Sequence, residues 1–525
     1  MTTAPTAEQE LAPQEPAAVE PSGLRTVPDL VRRRLATLDN WLDPHSWLVT
    51  GVLVVIAAIL RLNGISNPKG HVFDEVYYPT DAWDMLQHGV EWDEKTNGPA
   101  YVVHPPLGKW LIALGELLFG NTELGWRLPA AIAGTVMILI LVRVAYRLFH
   151  SVLLAGMAGL LMALDGFQLV LSRTSLLDIF LGTFILATFA ALVLDRDHYR
   201  RHWLRALENG FDPAKTPNVP RIVPWWLLVA GVTFGLACGV KWSALFFAPF
   251  LAALVIVWRV QARRSAGVRG PVLAGILGDL GWLLLSFALT FGIYLATWTG
   301  WFVTDTGYFR HYREANGLSE PPFIGALRNL WHYHQEAYRF HSGLTERHIY
   351  QSWPWQWLLL GRPVAFYWNN GGDCGAASCA REILLLGTPV LWWSFLPALA
   401  GLIWFGLSRR DWRAWAILTP AAAGLLPWFY YAVKDGRTMF SFYVLPALPF
   451  LILAVVYVLG AIMTPPEGIA RGSGRTDRQL IGTVVASAYI LLVAICFAYF
   501  YPIFVGQVIP YESWSGRMWL GGRWI

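Results

Sequence analysis

The sequence predicts an all-α polytopic membrane protein, and three observations carry that reading. The chain has 525 residues, 55% of them hydrophobic and only 14% charged, with a mean hydropathy of +0.43. A soluble domain carries about 25% charged residues. Apolar runs long enough to cross a hydrocarbon core of ~30 Å recur along the chain. The loops between them are alternately rich and poor in arginine, the pattern that orients membrane helices. The formal net charge of +5 is unremarkable for this size, and nothing in its placement calls for nucleic acid.

Residues 1–27 are rich in Ala, Pro, Glu and Thr and contain no aromatic residue. They cannot bury a core and read as a disordered cytoplasmic tail. They lack the apolar stretch of a signal peptide. Over 28–45, Leu30, Val31, Leu35, Leu38, Trp41 and Leu42 recur at helical spacing opposite Arg32, Arg33 and Arg34. That pattern suits an amphipathic helix on an anionic membrane surface.

About eleven spans follow by the ~20-residue criterion. Their cores are 46–63, 124–147, 152–171, 177–194, 224–239, 242–259, 273–298, 383–406, 413–431, 440–463 and 480–504. With Arg32–Arg34 in the cytoplasm, the other inside loops hold Arg143 and Arg147; Arg196, Arg200, Arg201 and Arg205; Arg259, Arg263 and Arg264; Arg409, Arg410 and Arg413; and Arg471, Arg475 and Arg478. Every alternate loop is basic. The expected placement is a bacterial plasma membrane, with the N-terminus cytoplasmic and the C-terminus external.

The organisation that results is an N-terminal membrane module, 46–298, and a C-terminal module with an external tail, 383–525. The first module carries an external loop at 63–123, and a second large external loop covers 299–382. Trp331, Trp353, Trp355, Trp357 and Trp368 in the second loop suit an interface, where amphipathic rings sit. Cys374 and Cys379 lie in a Gly-rich polar stretch of that loop. They can pair as a disulfide if it faces an oxidising compartment.

Ionisable residues in an oily chain need partners or a task. Asp74 and Glu75 are adjacent in the first external loop. A positioned carboxylate can take the proton of an attacking hydroxyl, worth ~10²–10⁴ in rate; the plain alternative is a solvated acidic turn. His104-Pro105-Pro106-Leu107-Gly108-Lys109 reads as a rigid helix start that presents Lys109 near the membrane surface. Arg61 ends the first span, where it can reach the headgroups or serve a site. Arg173 and Asp178 flank the external junction of the third and fourth spans, and a guanidinium there can clamp a phosphate or pair with an acid. Lys241 stands alone in a long apolar region and needs an anion. Arg437 belongs to a second external island, between the ninth and tenth spans. Several cations and a carboxylate pair at one interface suggest a phosphate-bearing lipid substrate. Neither GxxxxGK[ST] nor a strand–GxGxxG–helix unit is present, which argues against a soluble nucleotide-sugar donor. No His/Asp/Glu group has metal-ligand spacing, so no metal or other cofactor is expected.

These residues, in this order, resemble the protein O-mannosyltransferase family of polyprenyl-phosphate-dependent glycosyltransferases. The likeness is carried by Arg61 with Phe73-Asp74-Glu75-Val76, Val103 to Lys109, Ser172-Arg173 with Leu176-Leu177-Asp178, and Gly239-Val240-Lys241-Trp242. It continues in Gly387 to Trp393 and Phe442 to Ala447. The second external loop is too short for the β-trefoil repeats of eukaryotic members, and the chain resembles the actinobacterial form. The resemblance implies a GT-C-type fold and transfer of mannose, with inversion, from polyprenyl-phosphate-mannose to Ser or Thr hydroxyls of exported proteins. It implies Asp74 as base, Glu75 orienting the acceptor or the first loop, Arg173 on the phosphate, and Arg61 on the loop or the phosphate. His104, Lys109, Asp178, Lys241 and Arg437 are further candidates for binding the donor. Membrane lipids are implied partners, and export machinery is a candidate one. Two rival readings make different predictions. A polyprenyl-phosphate-sugar transferase acting on a glycolipid or cell-wall glycan differs in its acceptor. A transporter or flippase requires charges deep in mid-span.

Overall fold

The computed structural model describes residues 27–37, 41–215, 222–434, 436–464 and 477–524. The expected disordered tail therefore lies outside the described residues, apart from its last residue, as do Arg471 and Arg475.

Nine helices among the described residues are long and apolar enough to cross a membrane. The other two expected spans appear as shorter apolar helices, Val152–Ala163 and Trp225–Val240. Two elements form the centre. Leu177–Glu208 and Ser441–Met463 are each 78% buried across their apolar windows, whereas Pro44–Leu62 is 28% buried. The difference is written in the sequence of the 44–62 helix. Ser46, Thr50, Leu53, Ala57 and Arg61 form one buried stripe at i, i+4, i+3 spacing. Leu48, Val52, Val55 and Ile59 face outward, as lipid-facing positions do.

The long Leu177–Glu208 helix separates two charged ends. Asp178 lies at its start and Arg196 eighteen positions on, ~27 Å along the axis at 1.5 Å per residue. That is close to the ~30 Å hydrocarbon thickness. Around the second end the basic loops meet. Arg147 pairs with Asp197 at 2.7 Å, Arg259 with Asp195 at 2.5 Å, Arg263 with Asp279 at 2.7 Å and Arg32 with Glu208 at 3.1 Å.

Four expectations need correction. The 28–45 helix is shorter, Asp29–Leu35, and its Leu35 packs on protein rather than lipid, against Tyr199, Trp203 and Ala262. The 152–171 span breaks at Asp165, whose carboxylate caps a separate Gly166–Leu171 helix and also accepts the Thr388 N–H at 3.1 Å. The 383–406 span begins only at Pro389, because Cys379–Leu385 is a strand. Ile383, Leu384 and Leu385 are buried on both faces, so their apolar run carries no period that separates strand from helix. The all-α expectation therefore holds for the membrane part only. A three-stranded antiparallel sheet joins Val364–Asn369, Cys379–Leu385 and Val508–Pro510. Its hairpin carries a register shift between Ala365 and Tyr367, and Cys374 in its connecting loop forms a disulfide with Cys379 at the start of the second strand.

Candidate active site

The residues singled out from sequence fall into two groups. In the first, the hydrogen-bonding groups are turned to the chain itself, Arg61 Nε alone being buried without a partner among the described residues. Glu75 is fully buried in the short 3₁₀ helix Phe73–Val76. It pairs with Arg127 (Nη2 to Oε2, 2.8 Å) and accepts the backbone N–H groups of Val72 at 3.0 Å and Ser175 at 2.9 Å. Arg127 also donates to the carbonyls of Ile65, Pro68 and Gly70. Arg173 donates to the carbonyls of Leu60, Arg61, Asn63 and Gly64. It thus serves the unpaired carbonyls at the end of the Pro44–Leu62 helix. Arg61 is buried and donates to the Ala57 carbonyl at 3.1 Å and to Gln168. Phosphate roles for Arg173 and Arg61 therefore do not fit this geometry, nor does an acceptor-facing role for Glu75. What fits is support of the loop.

Lys109 belongs to the same group. Gly108 lets the Leu107–Phe119 helix nest against the bundle: a Cβ there would lie 2.6 Å from Leu177 and 3.3 Å from Val240. Lys109 is thereby fully buried, where it pairs with Glu91 and lies 3.8 Å from Asp81. It is an internal counter-ion rather than a surface cation. Burial pushes the Asp81 carboxyl up to about 7, against the pull of Lys109.

The second group has valence to spare. The Trp225–Val240 helix stops where Lys241 turns extended (φ −150°, ψ 141°). This places its Nζ 2.7 Å from Asp178, in the first turn of the Leu177–Glu208 helix, where the helix dipole favours an anion. The ammonium also lies 5.7 Å from the Phe442 ring and 5.8 Å from the Tyr443 ring. Beside this pair opens a cavity of about 340 Å³, with His104, Lys241, His341 and Arg437 on its polar wall. Phe246, Trp428, Tyr431 and Tyr443 form the aromatic wall.

Arg437 donates its Nε–H to the His341 carbonyl at 3.0 Å, while its Nη1 is buried with no partner among the described residues. A buried guanidinium nitrogen left in that state is costly without an acceptor. The His341 ring uses Nε2 on the Val103 carbonyl at 3.0 Å and leaves Nδ1 buried and unpartnered among the described residues. Burial, with Arg437 and Lys241 nearby, pushes His341 down to about 4. The ring is neutral at pH 7, and with Nε2 as donor its Nδ1 can accept from a hydroxyl. His104, 5.2 Å away between ring centroids, is likewise pushed down by burial.

Asp74 lies beside this group and within electrostatic reach of Lys241 and Asp178. Its carboxylate has no hydrogen-bond partner among the described residues. Burial raises it to about 6, Lys241 pulling down and Asp178 pushing up. A general base works best with its pKa near the operating pH. The residue before it, Phe73, has φ 49°, a left-handed backbone that L side chains adopt at a cost of ~1–2 kcal/mol.

Of the predicted site residues, the structure thus gathers Asp74, His104, Asp178, Lys241 and Arg437. It directs Arg61, Glu75, Lys109 and Arg173 elsewhere. Sequence reading missed His341 and Tyr443 in the cavity and Arg127 behind Glu75. Arg127 had a legible signal, a single cation in the first turns of an apolar helix. The structure also gathers His311, Glu314 and Glu320 within 4.8 Å, which their spacing did not suggest. Arg310, 3.6 Å from Glu320, and Asn329, donating to it at 2.8 Å, already supply counter-charge and a donor there.

The fold matches that of the Saccharomyces cerevisiae protein O-mannosyltransferase Pmt1–Pmt2 complex bound to the sugar donor, with a TM-score of 0.71 over 94% of each chain at 15% identity. The two therefore share one membrane fold. In sequence, residues 103–208 match the dolichyl-phosphate-mannose-protein mannosyltransferase family, and 326–524 match the C-terminal four-transmembrane region of protein-O-mannosyltransferase. The chain is 39% identical over 492 residues to a polyprenol-phosphate-mannose–protein mannosyltransferase of Mycolicibacterium smegmatis, covering 91% of this chain and 92% of that one. It is 35% identical over 508 residues to the Corynebacterium glutamicum protein of the same name, covering 91% and 93%. The chain belongs to the protein O-mannosyltransferase family.

Proposed function

We infer that this protein transfers mannose from polyprenyl-phosphate-mannose to Ser or Thr hydroxyls of exported proteins, at the outer face of a bacterial plasma membrane. The observation that carries the site assignment is the partner-free Asp74 carboxylate beside a cavity whose cations keep unfilled donors. In this reading the donor phosphate meets Arg437 and Lys241, and the first isoprene units lie along Phe246, Tyr431 and Trp428. The His341 Nδ1 accepts from a sugar hydroxyl. Asp74 takes the proton of the acceptor hydroxyl as its oxygen attacks the anomeric carbon from the face opposite the phosphate. The bond from that carbon to the phosphate oxygen breaks, the phosphate leaves on its lipid, and the configuration inverts.

Asp178 holds Lys241 in place and limits the charge it offers. Arg437 and Lys241 supply the positive charge that the leaving phosphate needs, and we expect transfer to persist in EDTA. The basic end of the bundle, ~27 Å from the site, supports a cytoplasmic N-terminus and an external site. The test is transfer in membranes supplied with polyprenyl-phosphate-mannose and a Thr-containing peptide. Asp74→Asn should abolish product while the protein remains inserted. Full transfer by that variant would remove Asp74 from the chemistry.

A further inference from the structure

We propose that Phe366 is a positioning residue for the reaction: its ring, with those of Phe440 and Phe442, clamps Phe73 in a left-handed backbone and so fixes where the Asp74 carboxylate points. The inference rests on the assignment of Asp74 as the base.

Three independent features of the structure meet here. Phe73 is a bulky residue at φ 49°, and such outliers persist only where their surroundings over-determine them. Its ring is held on several sides. Phe366 stacks on it with centroids 4.6 Å apart and planes 4° from parallel. Phe442 and Phe440 meet it edge-on at 6.0 and 6.4 Å. Phe366, for its part, sits at the register shift between Ala365 and Tyr367. A bulge inserts an extra residue and re-aims a side chain; here the side chain it aims is the one that touches Phe73. The hairpin that carries it has a disulfide between Cys374 in its connecting loop and Cys379 at the start of its second strand.

The clamp also joins the base to the donor cavity. Phe442 lies under Lys241 at 5.7 Å and packs edge-on against Tyr443, a cavity residue. One wall therefore holds both the loop that carries the carboxylate and the cation that meets the phosphate. Movement of the Phe73 ring would swing Asp74 relative to the donor without emptying the donor site. Hydrophobic packing alone requires neither a strained backbone nor a bulge directed at it.

The experiment compares Phe366→Ala, Phe366→Tyr and Asp74→Asn in membranes, reading kcat, donor KM and the pH profile. Phe366→Ala should lower kcat by ~10–100-fold, the scale of a reacting group misplaced by about 1 Å. Donor KM should stay near that of the wild type, because the cavity is intact. The acidic limb of its pH profile should move to lower pH as water reaches Asp74, with Lys241, Asp178 and Tyr78 still facing it. Phe366→Tyr, which keeps the ring, should recover most of the rate. Unchanged kcat and pH profile in Phe366→Ala, with Asp74→Asn inactive, would overturn the clamp and leave the base intact. Transfer by Asp74→Asn would instead overturn the base. If Phe366→Ala does not insert, Phe366→Leu, which keeps much of the apolar bulk without a ring plane, is read by the same criteria.

Discussion

Two clusters of charge sit at the same end of this bundle, and they differ in what their hydrogen-bonding groups touch. Around Glu75, the side chains of Arg127 and Arg173 are directed to carboxylate and carbonyl oxygens of the protein itself. Around the cavity, Arg437 Nη1 and His341 Nδ1 are buried with no partner among the described residues, and Asp74 has none either. A saturated cluster fixes a backbone, whereas an unsaturated one awaits a ligand. Asp74 and Glu75 show the contrast at adjacent positions. One carboxylate is enclosed by four donors (two from Arg127 and two backbone N–H groups), while the other remains open to the side where Lys241 and Asp178 meet.

The largest test of that contrast is Asp74→Asn, which should cut kcat by ~10²–10⁴ while leaving donor KM little changed. The same variant sharpens the comparison through stability. Because the folded Asp74 titrates at about 6 instead of 3.8, its ionised form is the disfavoured one in the fold. The native state should lose stability as pH rises from about 4 to 6 and hold level above that. Asp74→Asn should therefore melt higher than the wild type above pH 6, with the difference gone below pH 4. Identical melting curves at pH 7.5 would contradict the half-buried, partner-free placement. In the wild type, log kcat/KM should fall with unit slope below about pH 6.

Glu75→Ala should behave in the opposite way. It leaves Arg127 buried without its carboxylate, a loss of ~3–5 kcal/mol visible as a lower melting temperature in detergent. A variant that melts normally but loses turnover would move Glu75 into the chemistry. Next in size is the pair Arg437→Ala and Arg173→Ala. The first removes a charged hydrogen bond to the donor, worth ~1.5–3 kcal/mol, and should raise donor KM by ~10–100-fold. The second should lower the melting temperature and leave donor KM alone. A reversal of those two outcomes would exchange the roles of the clusters. The smallest effect belongs to Cys374→Ala/Cys379→Ala. The disulfide closes only a short loop, with a sequence separation of five, so it should cost about 2 kcal/mol, confined to the hairpin and read by hydrogen exchange.

What was legible in the sequence follows from the same physics. Span length and the arginine pattern gave the helical membrane core because a bilayer imposes a length and a sidedness on a chain read one residue at a time. Asp74 and Lys241 stood out because each is a charge in apolar surroundings. Arg61 and Arg173 stood out for the same reason, yet Arg173 is turned to the carbonyls of Leu60, Arg61, Asn63 and Gly64. Sequence counts a guanidinium but not the carbonyl oxygens that a helix end turns toward it. His341 was invisible because its task depends on Arg437, nearly a hundred residues on. The buried strand at Ile383–Leu385 read as membrane helix because an apolar run enclosed on both faces has no period to betray it.

The most direct measurement is a structure of the protein with polyprenyl-phosphate-mannose bound. The phosphate should lie within hydrogen-bond reach of Arg437 Nη1 and close to Lys241, with Asp74 on the opposite side of the anomeric carbon. A phosphate held instead by Arg173 or Lys109, with the 437–443 segment untouched, would contradict the account.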